Sequence, residues 1–424
     1  MRNLIYTTDR KDDSMFLKKK EKTTISVDDL MNHIDVGVSE QNMWEVESGQ
    51  LDISAEGESF SESNKGFTIN DEDFGNLIVY VKDETITDID FNGTDLWLTD
   101  INNKHWKNET IEVTPKFIRK LAQNIANSQS KEFNQMNCVI EAETPELRIS
   151  IIHNSIAQTG TTMCIRKTPR KERIKAYEAI QNGYASQEML ALLVNCIKAH
   201  MNIVVCGEPR AGKTEFAKFI SGYIPVGERV ITIEDVMEWR YKELHPDADV
   251  IEMKVNNNFT YSDAIIASLK QNPKWIMIAE SRGEEVKNLI QSFSTGVNGI
   301  TTLHTDDVRK IPSRIVNMAN DSLTEGRIYD NVYEFIDVGL FISMKPDKNG
   351  DIKRYIDQIA FFGKGDDGEE EICLMANYGK LRKDVEVPSK ILKKFKHAGV
   401  FDIYQNDALN KSIELQAIRS VSQE

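Results

Sequence analysis

From about Phe74 onward, short apolar runs alternate with polar punctuation, and their texture divides the chain. LIVYV (77–81), ITDIDF (86–91) and DLWLT (95–99) are compact or alternating, as half-buried strands require, and Asn92-Gly93 between the last two signals a hairpin. The stretch PKFIRKLAQNIANSQ from Pro115 places Phe117, Leu121 and Ile125 four apart, on one face of a helix. Strand texture returns in LRISII (147–152) and TTMCIRK (161–167), joined through a turn containing Gly160. These elements predict a small α+β N-terminal domain over 74–168.

Residues 169–184, with Pro169 and the charged run RKERIK, read as a linker. Beyond it the order changes to strict alternation: SQEMLALLVNCIKA, NIVVCG, a helix from Lys213, RVITIED, SDAIIASLKQ, WIMIAE, a helix from Glu284, and GITTLHT. Compact apolar strands separated by amphipathic helices predict a mainly parallel sheet covered on both faces over 185–424. RYIDQIAFFGK and EEEICLMANYG, around Asp366-Asp367-Gly368, predict a closing hairpin. By contrast, residues 1–73 carry only scattered apolar positions among Ser, Asn, Glu and Asp, which predicts a disordered, flexible acidic extension with short docking segments such as Met43-Trp44.

Charge refines this picture. The chain of 424 residues has a net charge of -15. Residues 1–26 hold seven bases and four acids, and 27–73 hold thirteen acids against Lys65, so 74–424 carry only -6. That balance excludes a surface built wholly for nucleic acid. Cys138, Cys164, Cys196, Cys206 and Cys373 form no CxxC pair, which argues against a zinc site or a disulfide frame and for small buried hydrophobes. No run of 18 apolar residues or secretory leader is present, so the expectation is a soluble, unexported chain. Lys18-Lys19-Lys20 is read as a solvated cluster.

The strongest chemical signal is Gly207-Glu208-Pro209-Arg210-Ala211-Gly212-Lys213-Thr214, a GxxxxGKT run between an apolar strand and a helix. In that context backbone N–H groups wrap phosphates, the helix N-terminus adds partial positive charge, Lys213 reaches the β- and γ-phosphates, and Thr214 holds magnesium. Hydrolysis also needs a carboxylate beside the γ-phosphate, and Glu280 at the end of Trp275–Ala279 supplies one. No Asp precedes it in the strand, so the metal must draw on Thr214, waters and another carboxylate. Glu234, Asp235 and Glu238 offer candidates, although an acidic loop without a catalytic task fits them as well. His304 ends GITTLH, and Asp306 and Asp307 after it are placed to fix its tautomer.

In order, GEPRAGKT, IEDVMEW, IMIAESRG and TGVNGITTLHT resemble the Walker A, Asp box, Walker B and His box of the traffic ATPases of type II and type IV secretion, which drive pilus assembly, protein secretion and conjugal DNA transfer. ITDIDFNGTDLW, RISII and MCIRK extend the likeness to about 74–376, nearest the CpaF-like and conjugal branch. The resemblance implies a RecA-like P-loop NTPase domain and a homohexameric ring using ATP and Mg2+. It implies catalytic roles for Glu280, Glu234, Glu238 and His304, phosphate contacts from Arg148 and Arg166, and metal contacts from Thr214, Glu280 and Asp235. It also implies a cytoplasmic ATPase held at the inner face of the membrane by integral partners, with no sequence-specific nucleic-acid binding.

Three departures stand out: Pro-Arg-Ala in the loop, Ala279 before Glu280, and LKQNPKW in place of an arginine-bearing stretch. The last leaves a trans arginine open, with Arg240, Arg282 and Lys270 as substitutes. The leading expectation is a motor that rocks its N-terminal domain about a hinge near Pro169. Its rivals are a RecA-like nucleic-acid motor and a nucleotide-gated scaffold with negligible turnover.

Overall fold

The computed structural model describes residues 69–168, 170–319, 325–348, 351–365 and 368–421. Of the extension expected over 1–73, residues 1–68, including Met43-Trp44 and Lys18-Lys19-Lys20, lie outside those residues. So do Pro169 and the turn residues Asp366 and Asp367.

Six strands form an antiparallel sheet: β1 (Ile86–Phe91), β2 (Leu96–Asp100), β3 (His105–Lys107), β4 (Val139–Glu143), β5 (Leu147–Ile152) and β6 (Thr162–Lys167), in the order β3-β2-β1-β6-β5-β4. The helix Pro115–Ser128 packs on it through Ile118, Leu121, Ala122, Ile125 and Ala126. The Thr114 hydroxyl caps this helix by accepting from the Phe117 N–H at 3.2 Å, and Pro115 stands at the first position, where no N–H is needed. In β1 the register shifts between Ile86 and Asp88, and this bulge changes the phase of the strand. As a result Ile86, Ile89 and Phe91 all enter the core.

Two expectations at the start of this domain are corrected. LIVYV is helical: Asp71–Leu77 forms a 3-10 helix and Ile78–Lys82 an α-helix. Phe74, Leu77, Ile78 and Val81 fall at i, i+3, i+4 and i+7, a helical stripe that lies on the core. Ile69 also packs there, so order begins before the expected boundary at 74. The stretch read as a linker contains the helix Ala176–Gln181, whose Ala176 and Ala179 belong to the main core.

The second sheet has nine strands: β7 (Ile203–Gly207), β8 (Val230–Glu234), β9 (Val250–Lys254), β10 (Trp275–Ile278), β11 (Asn298–Leu303), β12 (Val338–Pro346), β13 (Ile352–Lys364), β14 (Glu370–Asn377) and β15 (Lys380–Leu381). Their order is β15-β14-β13-β12-β7-β11-β10-β8-β9. The six from β12 to β9 are mutually parallel, and β13, β14 and β15 close the other edge antiparallel. Alternate residues face opposite layers. Ile203, Val205, Trp275 and Met277 pack with the helices Gln187–Lys198 and Lys213–Ser221. Val204, Cys206, Ile276 and Ile278 pack with Tyr261–Leu269, Glu285–Phe293 and Ile311–Ala319. This is the two-layered covering of a parallel sheet that the apolar runs predict.

All five cysteines are free; Cys196, Cys206 and Cys373 are buried, whereas Cys138 and Cys164 are only half-buried. Among the described residues no helix is long and apolar enough to cross a membrane.

Candidate functional site

Because β7, β8, β10 and β11 run parallel, their C-terminal ends meet at one edge, and the residues that follow them converge there. Residues 207–214 form the loop after β7. A Cβ on Gly207 would lie 2.7 Å from the Ile342 carbonyl oxygen of β12, so only glycine fits. Gly212 takes a left-handed φ of 87° at the start of the helix Lys213–Ser221. Arg210 also has a left-handed φ, 68°, which is costly for a side chain with a Cβ. Ala211 is buried beneath the loop, while Glu208 and Pro209 are exposed.

Lys213 folds back over the loop, donating from Nζ to the carbonyls of Gly207 (3.3 Å) and Glu208 (3.2 Å) and to Nδ1 of His304 (3.1 Å). It is 8% exposed, and burial pushes its ammonium down to about 8 against the opposing pull of Glu280. An ammonium offers no lone pair, so Nδ1 of His304 accepts and the ring proton sits on Nε2. Nε2 lies 2.9 Å from Oε1 of Glu280. Burial and the Lys213 charge both lower the His304 pKa, in keeping with this neutral tautomer. The expectation that Asp306 and Asp307 fix His304 is corrected: Asp306 pairs with Lys310, and Asp307 with Arg309 and Gln358.

Glu280 continues the chain of contacts. Its Oε2 accepts from Arg282 at 2.8 Å, and Arg282 reaches Asp235 at 3.4 Å. Burial would raise the Glu280 pKa, but Arg282, His304 and Lys213 together hold it below the ordinary value. Asp235 also accepts from the Tyr261 hydroxyl, at 3.3 Å. The strand end that carries Glu280 is pinned by Thr302, which donates to the Ala279 carbonyl at 2.6 Å, and by Ser281 against Thr301 at 2.9 Å.

Glu238 and Glu234 part company. Burial raises the Glu238 pKa, against the lowering influence of the neighbouring Lys218 and Thr214. Glu234 is fully buried, and burial pushes it up to about 8 despite the N–H groups of Trp239 and Glu238. Its Oε2 accepts from the Glu238 N–H (2.6 Å) and the Trp239 N–H (3.0 Å), so it ties down the loop that presents Glu238. A carboxylate spent on its own loop is a brace.

From the N-terminal sheet, cross-strand register sets Arg148, Arg166 and Asp88 side by side on β5, β6 and β1. Arg166 Nε donates to Asp88 at 3.0 Å, and Arg210 NH2 lies 3.7 Å from the same oxygen. The Arg148 side chain has no ion-pair or hydrogen-bond partner among the described residues. Arg240 donates to the Pro145 carbonyl at 2.6 Å, and Lys270 caps the helix Tyr261–Leu269 before β10, at the opposite end of the sheet from the loop. Of the three candidate arginine substitutes, only Arg282 touches the carboxylate chain.

Sequence reasoning missed Arg354 on β13. Its Nε donates to the Arg210 carbonyl at 3.1 Å and its NH1 to the Ile101 carbonyl at 2.8 Å, bridging the loop and the N-terminal sheet. No local signal marks it, because the link arises only when β13 packs beside β12 and β7.

A β-strand ending in a glycine-bounded loop, a lysine buried on that loop, and a strand-end glutamate and histidine joined to it share one edge of the sheet. The profile of the type II/IV secretion system protein family matches residues 78–332. The chain belongs to this family. Among curated relatives of the family member described here, an uncharacterised protein of Bacillus anthracis is 30% identical over 283 residues, covering 65% of this chain and 64% of that protein. The type IV secretion system protein PtlH of Bordetella pertussis is 33% identical over 128 residues, covering 28% of this chain and 36% of PtlH. The matched region thus spans less than two thirds of the length of these relatives. The ATPase DotB of Yersinia pseudotuberculosis aligns with a TM-score of 0.54 at 16% identity, over 69% of this chain and 79% of DotB. The pilus retraction motor PilT, solved with bound ADP, aligns with a TM-score of 0.50 at 16% identity, over 82% of this chain and 88% of PilT. These likenesses are of fold, and they agree with a P-loop domain preceded by a smaller α+β domain.

Proposed function

We propose that this secretion-family chain is an ATP-hydrolysing motor. The observation that supports the reading most directly is the continuous contact Lys213–His304–Glu280–Arg282 beside the 207–214 loop. Loop amides and Lys213 bind the phosphates, and Glu280, kept ionised by its cationic neighbours, orients the attacking water. A carboxylate held below its ordinary pKa is a poor proton acceptor and a good hydrogen-bond acceptor, so positioning is its main contribution. His304 links Glu280 to Lys213, so a change at the phosphate end is felt at the water end. Arg148 and Arg166 approach from the N-terminal sheet.

Magnesium fits the donors present. The Thr214 hydroxyl and the Glu238 carboxylate are hard oxygens beside the loop, and among the described residues no cluster of three His, Cys, Asp or Glu side chains competes for a softer metal. When bound, the ion neutralises triphosphate charge. The earlier ligand candidates Glu280 and Asp235 instead share Arg282.

Motor action follows from differential binding: phosphates gripped by arginines of the N-terminal sheet favour its closed position. The working assembly is a homohexameric ring at the cytoplasmic face, driving a pilus, secretion or conjugation apparatus through integral membrane subunits. Steady-state phosphate release by the purified chain, with Lys213→Ala as control, tests the reading. ATP-dependent release lost in the variant is expected. Tight ATP binding without release would favour a nucleotide-gated scaffold, which the Arg282–Glu280 pair and Arg210 in the loop also accommodate.

A further inference from the structure

The bulge at Thr87 places Ile86 in the core. Beyond it, ordinary strand alternation points Asp88 away from Ile89 and Phe91, and the Thr87 hydroxyl steadies the carboxylate by donating to Oδ2 at 2.8 Å. The Asp88 side chain is 6% exposed, yet the two arginine side chains at its Oδ1 are nearly half-exposed, at 45% for Arg166 and 44% for Arg210. One cation belongs to the N-terminal sheet and the other to the middle of the phosphate loop. Arg210 is held from both sides, since Arg354 fixes its carbonyl while Asp88 draws its side chain. That grip accounts for a left-handed arginine in a loop where small residues are the rule.

A guanidinium fork matches carboxylate and phosphate oxygens equally well. We propose that Asp88 is an internal competitor of the nucleotide's phosphates, holding Arg166 and Arg210 so that the carboxylate and the phosphates draw on the same two cations. Asp88 thereby sets the nucleotide affinity of the site. By linkage, whatever factor the Asp88 contact takes from phosphate binding, phosphate binding takes from the Asp88 contact. Occupation of the loop therefore loosens β1 from Arg210, which gives the rocking of the N-terminal sheet a specific release point. This inference rests on the nucleotide reading of the loop and adds its regulation.

The test is equilibrium titration of the full chain with a fluorescent ATP analogue, at low and high salt. Asp88→Asn is expected to tighten binding about 5- to 10-fold at low salt, with the gain shrinking at high salt. In a chain already lacking both arginines (Arg166→Ala, Arg210→Ala), the same substitution is expected to change affinity less than about twofold. Should the Asn variant fail to fold, Asp88→Ala removes the same charge with the same expected gain. Unchanged or weaker binding in a folded variant overturns the proposal, as does a gain that persists without the two arginines. Lys213→Ala separates the two levels: its binding like the parent chain sinks the nucleotide reading itself. If that variant loses binding and Asp88→Asn gives no gain, the competitor alone falls.

Discussion

Replacing Lys213 by methionine is expected to stabilise the fold while abolishing nucleotide binding. Its ammonium falls from an ordinary 10.5 to about 8, so keeping it protonated at pH 7 costs about 3 kcal/mol of folding stability. The folded chain binds this proton less well than the unfolded chain, so the cost is complete below about pH 8 and fades as pH rises towards 10.5. Methionine fills similar volume without the charge. Against the gain, the carbonyls of Gly207 and Glu208 and Nδ1 of His304 lose a donor, while Glu280 keeps Arg282. At about 0.5 kcal/mol for each of the three lost hydrogen bonds, a net gain of about 1 kcal/mol remains. Urea unfolding followed by tryptophan fluorescence reports on this domain through the buried Trp239 and Trp275. The midpoint of the variant is expected above that of the parent at pH 7, with the gap narrowing by pH 10. A variant less stable than the parent at pH 7, or a gap independent of pH, refutes the reasoning.

Other outcomes follow from the same contacts. Glu234 has a folded pKa of about 8, above its ordinary 4.5, so the stability it contributes below pH 4.5 is lost as pH rises through 8. Glu234→Gln is expected to flatten that part of the stability–pH curve in urea titrations and to change phosphate release less than about tenfold, as befits a brace. Arg282→Ala removes the hydrogen bond and charge that hold Glu280 down, leaving burial to raise it. The acid limb of the rate–pH profile is therefore expected to move to higher pH, and an unmoved limb would separate Arg282 from Glu280.

The parallel sheet was readable because its strands are buried on both faces and appear as unbroken apolar runs. NIVVCG, RVITI, WIMIA and GITTL all became strands. LIVYV misled for the complementary reason: five apolar residues alone fit either periodicity, and only the window reaching back to Phe74 reveals the helical stripe. Within the site, Gly207, Gly212 and Lys213 were legible because phosphate binding demands those residue types at that spacing. Glu234 and Glu238 were indistinguishable in sequence, since the turn after β8 decides which carboxylate faces its own loop and which faces Thr214. Arg354 and Asp88 owe their placement to contacts over long chain separations, 144 residues for Arg354 with Arg210. A one-residue bulge in β1 also puts Ile86 on the face opposite Asp88.

We propose above all that Glu280 orients water against a triphosphate held by residues 207–214. Single-turnover phosphate release by Glu280→Gln, measured alongside its affinity for a non-hydrolysable ATP analogue, tests it most directly. Affinity within about threefold of the parent and release slowed by a factor of about 100 or more are expected. Release at the parent rate with intact binding would contradict it.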